Sequence, residues 1–136
     1  MSTKQRMAVA ALSLTAAGMV ALVGHESYTA TAVIPIAGDR PTVGFGSTFR
    51  EDGTPVKMGD TTTPPKALRL AVSHIGKDEV QLKRCVTAPM HLAEWDVFVD
   101  FAYWRGAAGA CRSDVVRHIN AGRYADACAA YLNLDG

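Results

Sequence analysis

Several features are missing from this 136-residue sequence, and each absence removes a class of function. Neither sign of charge dominates: 14 Lys and Arg oppose 13 Asp and Glu, for a net charge of +1. A surface built for nucleic acid carries a larger basic excess, so no nucleic-acid partner is expected. There is no C-x-x-C pair, and the three cysteines Cys85, Cys111 and Cys128 fit no zinc spacing. His74, His91 and His118 lie far apart and suggest no metal site. No G-x-S-x-G, P-loop or dinucleotide fingerprint occurs, and no cofactor is expected. No internal repeat or low-complexity tract is visible. The cysteines are either buried free thiols or, in an exported chain, one disulfide with a thiol left over.

What the sequence does have is concentrated at its start. Lys4 and Arg6 precede an uncharged run from Met7 to Gly24. Its length is near the ~20 residues a helix needs to span a bilayer. The basic flank keeps the N-terminus cytoplasmic and sends everything after Gly24 outward. More than half of the run is Ala, Gly, Ser or Thr, so the segment enters a membrane but holds there weakly. Three readings stay open: a cleaved signal peptide, a permanent anchor and a releasable anchor. The best small-x-small cleavage site is Ala30-Thr31-Ala32, and cutting there would remove Glu26. The expected division is an N-terminal anchor over 1–24 and a domain over 25–136.

That domain reads as α+β. Residues 42–46 read as a strand, Asp52-Gly53 as a hairpin turn, and residues 55–58 as the returning strand. Thr63 is expected to cap a helix with Pro64 and Pro65 in its first turn. The apolar face of that helix is Ala67, Leu68, Ala71, Val72 and Ile75, and Gly76 ends it. A shorter helix follows over 80–85. The strongest runs over 88–105, lined by Leu92, Trp95, Val99 and Ala102 and widened by Phe98 and Phe101; Gly106 and Gly109 stop it. Ser113 caps a short helix, and Ala125, Cys128, Ala129 and Leu132 mark the last.

Glycoside hydrolysis needs an acid to protonate the leaving oxygen and a group on the opposite sugar face to activate water or attack. Glu26, Asp39 and Thr42 supply two carboxyls and a hydroxyl within one short stretch. Spacing alone favours ordinary loop charges. His25, beside Glu26, either faces solvent or influences its protonation.

G-H-E-S-Y at 24–28 and I-P-I-A-G-D-R-P-T-V-G-F-G-S-T at 34–48 resemble the active-site region of phage-type lysozymes, glycoside hydrolase family 24. K-M-G-D-T-T-T-P-P-K-A-L at 57–68 and C-V-T-A-P-M-H-L-A-E-W-D at 85–96 extend the likeness. So do V-D-F-A-Y-W-R-G-A-A-G-A-C-R-S-D at 99–114 and H-I-N-A-G-R-Y-A-D-A-C at 118–128. The resemblance implies a lysozyme-like fold, a small sheet followed by a helical lobe, preceded by an apolar helix. It implies hydrolysis of the β-1,4 bond between N-acetylmuramic acid and N-acetylglucosamine in peptidoglycan, by a monomer. Glu26 matches the general acid, Thr42 the threonine that positions water, and Asp39 the aspartate, here only three positions before Thr42. An inverting outcome follows if water attacks opposite Glu26.

The first segment resembles that of signal-anchor-release endolysins, which start tethered to the inner membrane of a Gram-negative host and end in its periplasm. Relatives carry Asn where this chain has Trp104, and continue beyond the position of Gly136, so a shortened C-terminus is expected. Their extra length supplies a partner for Cys128, which implies Cys85 with Cys111 as the pair here. The alternative is a non-catalytic or degenerate membrane-tethered relative that binds peptidoglycan without cutting it.

Overall fold

A computed structural model describes residues 5–133. The basic flank expected at Lys4 lies outside them. The chain divides into two compact units, Met1–Met19 with Gly76–Gly136, and Val20–Ile75. The first is helical, the second carries the sheet.

The helical unit is organised by α3 (Leu92–Arg105). Trp95, Phe98, Val99 and Ala102 recur at helical spacing and are fully buried. Burying side chains of this size contributes about 1.5–3 kcal/mol each. The helix starts later than expected because Met90 is drawn into an extended bridge with Met7. The Glu94 carboxylate then accepts the His91 backbone N–H at 2.8 Å, satisfying an amide that the first turn leaves open. Leu92, expected on the apolar face, is instead half exposed.

Gly106 ends α3 with φ +87°. Gly109 does not stop a helix; it lies inside α4 (Ala107–Cys111). Ser113 caps α5 (Asp114–Asn120) by accepting the Val116 N–H. In α6 (Tyr124–Ala130) the buried residue is Ala127. Ala125, Cys128 and Ala129 therefore point outward, out of phase with the expected face, and Leu132 is exposed in the turn that follows. Cys85 and Cys111 form a disulfide with Cα atoms 5.7 Å apart, and Cys128 is free and exposed.

The N-terminal segment departs from expectation most. In place of one apolar helix it forms an extended start, a 3-10 turn over Val9–Ala11, a break, and α1 (Ala16–His25). Among the described residues no helix is long and apolar enough to cross a membrane. Contacts of its first residues hold the segment within the helical unit. The Arg6 guanidinium donates to Glu94 at 2.9 and 3.0 Å and stacks 3.5 Å above the Tyr124 ring. Met7 and Met90 exchange backbone hydrogen bonds at 2.9 and 2.8 Å, and Val9 and Leu12 are buried. Burial pushes the Glu94 carboxyl up, but hydrogen bonds from Arg6 and the His91 amide outweigh it and leave the group below its ordinary value.

In the sheet unit, β1 (Thr29–Val33) pairs antiparallel with β2 (Thr42–Gly44), with Thr29 opposite Gly44 and Val33 opposite Thr42. The expected strand over 42–46 is thus shorter, and its regular partner is β1 rather than residues 55–58. Backbone bonds between Val43 and Ser47 fold the chain back after Gly44. Residues 55–58 follow the Asp52-Gly53 turn and pair with the stretch just before it. Arg50 N–H reaches Thr54 O at 2.7 Å and Val56 N–H reaches Thr48 O at 2.9 Å. Ala32, Val43 and Val56 form a small apolar cluster.

Helix α2 (Pro64–Cys85) contributes to both units. It runs through Gly76, where a stop was expected, so the separate helix over 80–85 is its second half. A mid-helix glycine costs about 1 kcal/mol. Ala67, Ala71 and Ile75 before it and Leu82 after it are buried, which offsets that cost. Leu68 and Val72 are exposed.

Candidate active site

All three candidate catalytic residues fall in the sheet unit, between Val20 and Ile75. Glu26 immediately follows α1, its N–H directed to the Val23 carbonyl at 3.3 Å. It is half-buried, unlike its exposed neighbours His25 and Ser27. The helix end thus delivers a carboxylate that is sheltered without being sealed off.

The carboxylate rests against the bend after β2. A Cβ at Gly46 would lie 3.2 Å from Glu26 Oε2 and 3.8 Å from its carboxyl carbon. Gly46 also adopts φ +77°, which residues with a Cβ disfavour. Two independent requirements therefore select glycine there. At Gly44 a Cβ would meet the Ala67 Cβ at 2.8 Å, so the strand lies close on the first turn of α2. Between these glycines Phe45 packs against Tyr28, ring centroids 5.4 Å apart, joining the segment after Glu26 to the bend.

Thr42 opens β2 and is partly exposed. A strand rises roughly 3.4 Å per residue, which sets Thr42 about 7 Å along the backbone from Gly44. Asp39 occupies the β1–β2 loop, where its N–H closes a turn on Ile36 O at 2.9 Å, and it is exposed. Glu26 thus sits by the Gly46 bend beyond one end of β2, with Thr42 at the other end and Asp39 on its approach.

A polar clip steadies this arrangement. Arg50 binds the Asp60 carboxylate through two parallel hydrogen bonds, 2.7 and 2.8 Å. The Lys57 N–H adds a third at 3.0 Å. The Asp60 carbonyl accepts the Ala32 N–H at 2.8 Å, tying the hairpin to β1. The Arg50 guanidinium first, and then the Lys57 backbone N–H, hold the Asp60 carboxyl down at about 2. A cavity of about 360 Å³ beside the clip is lined by Val43, Arg50, Asp60, Thr62 and Lys66, and by none of the three candidates. Trp104, in the other unit, is 57% exposed on α3 and meets Phe101 edge-on.

Arg50 and Asp60 are supports that the sequence reading does not single out, and Gly46 enters it only as a glycine of the 42–46 strand, with no contact to Glu26. The glycine carries a signal, since two glycines around one aromatic cannot continue a strand without losing packing. The Arg50–Asp60 pair spans a turn and has no local signature.

Residues 23–134 match the phage lysozyme family. The endolysin of Salmonella phage P22 is 28% identical over 92 residues, which cover 68% of this chain and 63% of that protein. The matched stretch is therefore less than two thirds of that relative's length. An endolysin from the Escherichia coli O157:H7 phage FAHEc1 is similar in structure, with a TM-score of 0.81 at 25% identity over 92% of this chain and 78% of that one. The muramidase domain of SpmX from Asticaccaulis excentricus shares the fold, with a TM-score of 0.78 at 22% identity, covering 90% and 79% of the two chains. A mutant of P22 lysozyme does so with a TM-score of 0.76 at 24% identity, covering 92% and 85%.

Proposed function

This chain belongs to the phage lysozyme family, and on that premise we propose that it is an endolysin hydrolysing the β-1,4 bonds between N-acetylmuramic acid and N-acetylglucosamine in peptidoglycan. The observation that carries the site assignment is the half-buried Glu26 carboxylate held against the Gly46 bend of the β2 segment. In this reading Glu26 donates its proton to the glycosidic oxygen as the C1–O bond breaks. Water oriented by Thr42 attacks C1 from the opposite face and gives up a proton to Asp39, the opposing carboxylate. The product inverts at C1. Turbidity loss of outer-membrane-permeabilised bacteria tests it: Glu26→Gln should abolish lysis, and lysis equal to that of the native chain would remove Glu26 from its role.

Residues 1–24 act as a releasable anchor and 25–136 as the catalytic domain, so the enzyme starts at the inner membrane of a Gram-negative host and works, as a phage- or prophage-encoded monomer, in the periplasm. Two features support release: the small, weakly hydrophobic residues that make up more than half of positions 7–24, and the folded-down path of their first half within the helical unit. Replacing the segment with a strongly apolar helix should keep the enzyme in the membrane and silent. Full activity of that variant would overturn the tether.

A further inference from the structure

The break in the N-terminal segment is met by two carboxylates of the helical unit. Glu79 Oε2 accepts the Leu14 N–H at 3.1 Å and the Trp95 indole N–H at 2.8 Å. Asp96 Oδ1 accepts the Thr15 N–H at 2.8 Å, and its other oxygen accepts the Thr15 hydroxyl hydrogen. The Thr15 oxygen in turn accepts the Gly18 N–H at 3.0 Å, capping α1. Gly18 lies flush against Asp96: a Cβ there would fall 2.5 Å from Cγ and 2.6 and 2.8 Å from the two oxygens.

These amides are the ones whose partners must change between the two states of the segment. A continuous helix in a bilayer satisfies the N–H groups of Leu14, Thr15 and Gly18 with the carbonyls of Ala10, Ala11 and Leu14, since lipid offers no acceptor. Breaking the helix before Ala16 strips those partners away and leaves the first amides of α1 open. Glu79, Asp96 and the Thr15 hydroxyl supply replacements, two of them anionic at a helix N-terminus, where negative charge is favoured.

We infer that Glu79 and Asp96 form a latch that selects the released, folded-down form of the segment, with Gly18 as the gap the latch requires. The inference rests on the releasable-anchor reading and adds where the segment is captured. Weak hydrophobicity lets it leave the bilayer; the latch makes the broken form its stable destination. Both carboxylates act on the segment rather than on substrate, and so are positioning residues.

The test compares Gly18→Ala with Gly24→Ala in the full chain. Each adds one methyl and the same helix preference to the segment, but a Cβ at Gly24 meets nothing within 4 Å. Two readouts are taken: the fraction retained in membranes, and the rate of tryptic cleavage after Arg6 in released protein. Gly18→Ala should raise membrane retention and speed cleavage by about tenfold, because cleavage follows the population of the undocked segment. Gly24→Ala should stay within about twofold of the native chain. Thr15→Val should behave like Gly18→Ala, and Thr15→Ser, which keeps the hydroxyl, like the native chain. If Gly18→Ala does not fold, the Thr15 pair carries the test alone. Equal behaviour of Gly18→Ala and Gly24→Ala, or of the two Thr15 variants, overturns the latch. A chain that never enters the membrane fraction overturns the latch and the tether together. Neither readout requires glycan cleavage, so a Glu26→Gln variant that still lyses cells would sink the muramidase reading and leave the latch standing.

Discussion

The helical and sheet units are held by different forces. The helical unit encloses Trp95, Phe98, Val99 and Ala102 in a continuous aromatic and aliphatic core and adds a disulfide. The sheet unit buries smaller side chains, Ala32, Val43 and Val56 in its sheet and Leu22, Ala67, Ala71 and Ile75 on its helices, and adds the Arg50–Asp60 clip and backbone bends. Gly38, Gly44, Gly46, Gly53 and Gly59 all adopt positive φ there, against Gly106 and Gly122 in the helical unit. The candidate chemistry sits in the unit richer in positive-φ glycines, where bends of the backbone help position the groups. Substitutions should therefore separate: those in the helical unit lower stability, those in the sheet unit lower activity.

The largest expected effect is on activity alone. Glu26→Gln should reduce lysis by roughly 10³-fold, the scale of a lost general acid, with melting temperature nearly unchanged. A large loss of stability would collapse the distinction between the units. Trp95→Ala is the converse: truncation in the tight core should cost about 3–5 kcal/mol in denaturant titrations. Gly46→Ala lies between them. Forcing a Cβ into φ +77° costs roughly 1–2 kcal/mol, and the close approach to Glu26 Oε2 should lower lysis more than that loss of stability explains. Ser113→Ala should cost about 1 kcal/mol through the lost α5 cap, with lysis per folded molecule unaffected.

The smallest effect concerns acid. The folded-state Asp60 carboxyl lies at about 2 against an ordinary 3.8, so its contribution is complete above the ordinary value and fades as pH falls toward the folded one. Amide signals of Ala32 and Thr62 should therefore weaken between about pH 4 and pH 2 before the core of the helical unit responds. Arg50→Gln should shift that loss to higher pH. Simultaneous loss in both units would argue against separate stabilisation.

Residues whose role follows from local spacing are legible in the sequence. The Trp95–Ala102 face, the Ser113 cap and the Asp52-Gly53 turn each depend on a few nearby positions. The small sheet with a helical lobe is legible too. Gly76 misleads because its local propensity says nothing of the buried residues on either side that carry α2 through it. The last helix is hard to phase because an alanine-rich run has no strong period. The path of the N-terminal segment is hidden for another reason. Composition shows that residues 7–24 are apolar, but the acceptors that meet the break, Glu79 and Asp96, stand 65 and 81 positions beyond Leu14 and Thr15. At the site, Glu26, Asp39 and Thr42 can be named from ordered motifs, whereas the contact with Gly46 depends on a bend that exists only in three dimensions.

Strand β1 has one further consequence. Ala30-Thr31-Ala32, attractive to an export peptidase in an extended chain, is tied into the folded sheet unit: Ala30 O accepts the Thr62 N–H at 2.8 Å, and Ala32 gives its own N–H to the Asp60 carbonyl. Ala32 is also buried. A peptidase that reads its substrate as an added strand needs those same backbone groups. For an exported chain, folding and processing then run as a race, and whichever finishes first determines whether the chain keeps Glu26.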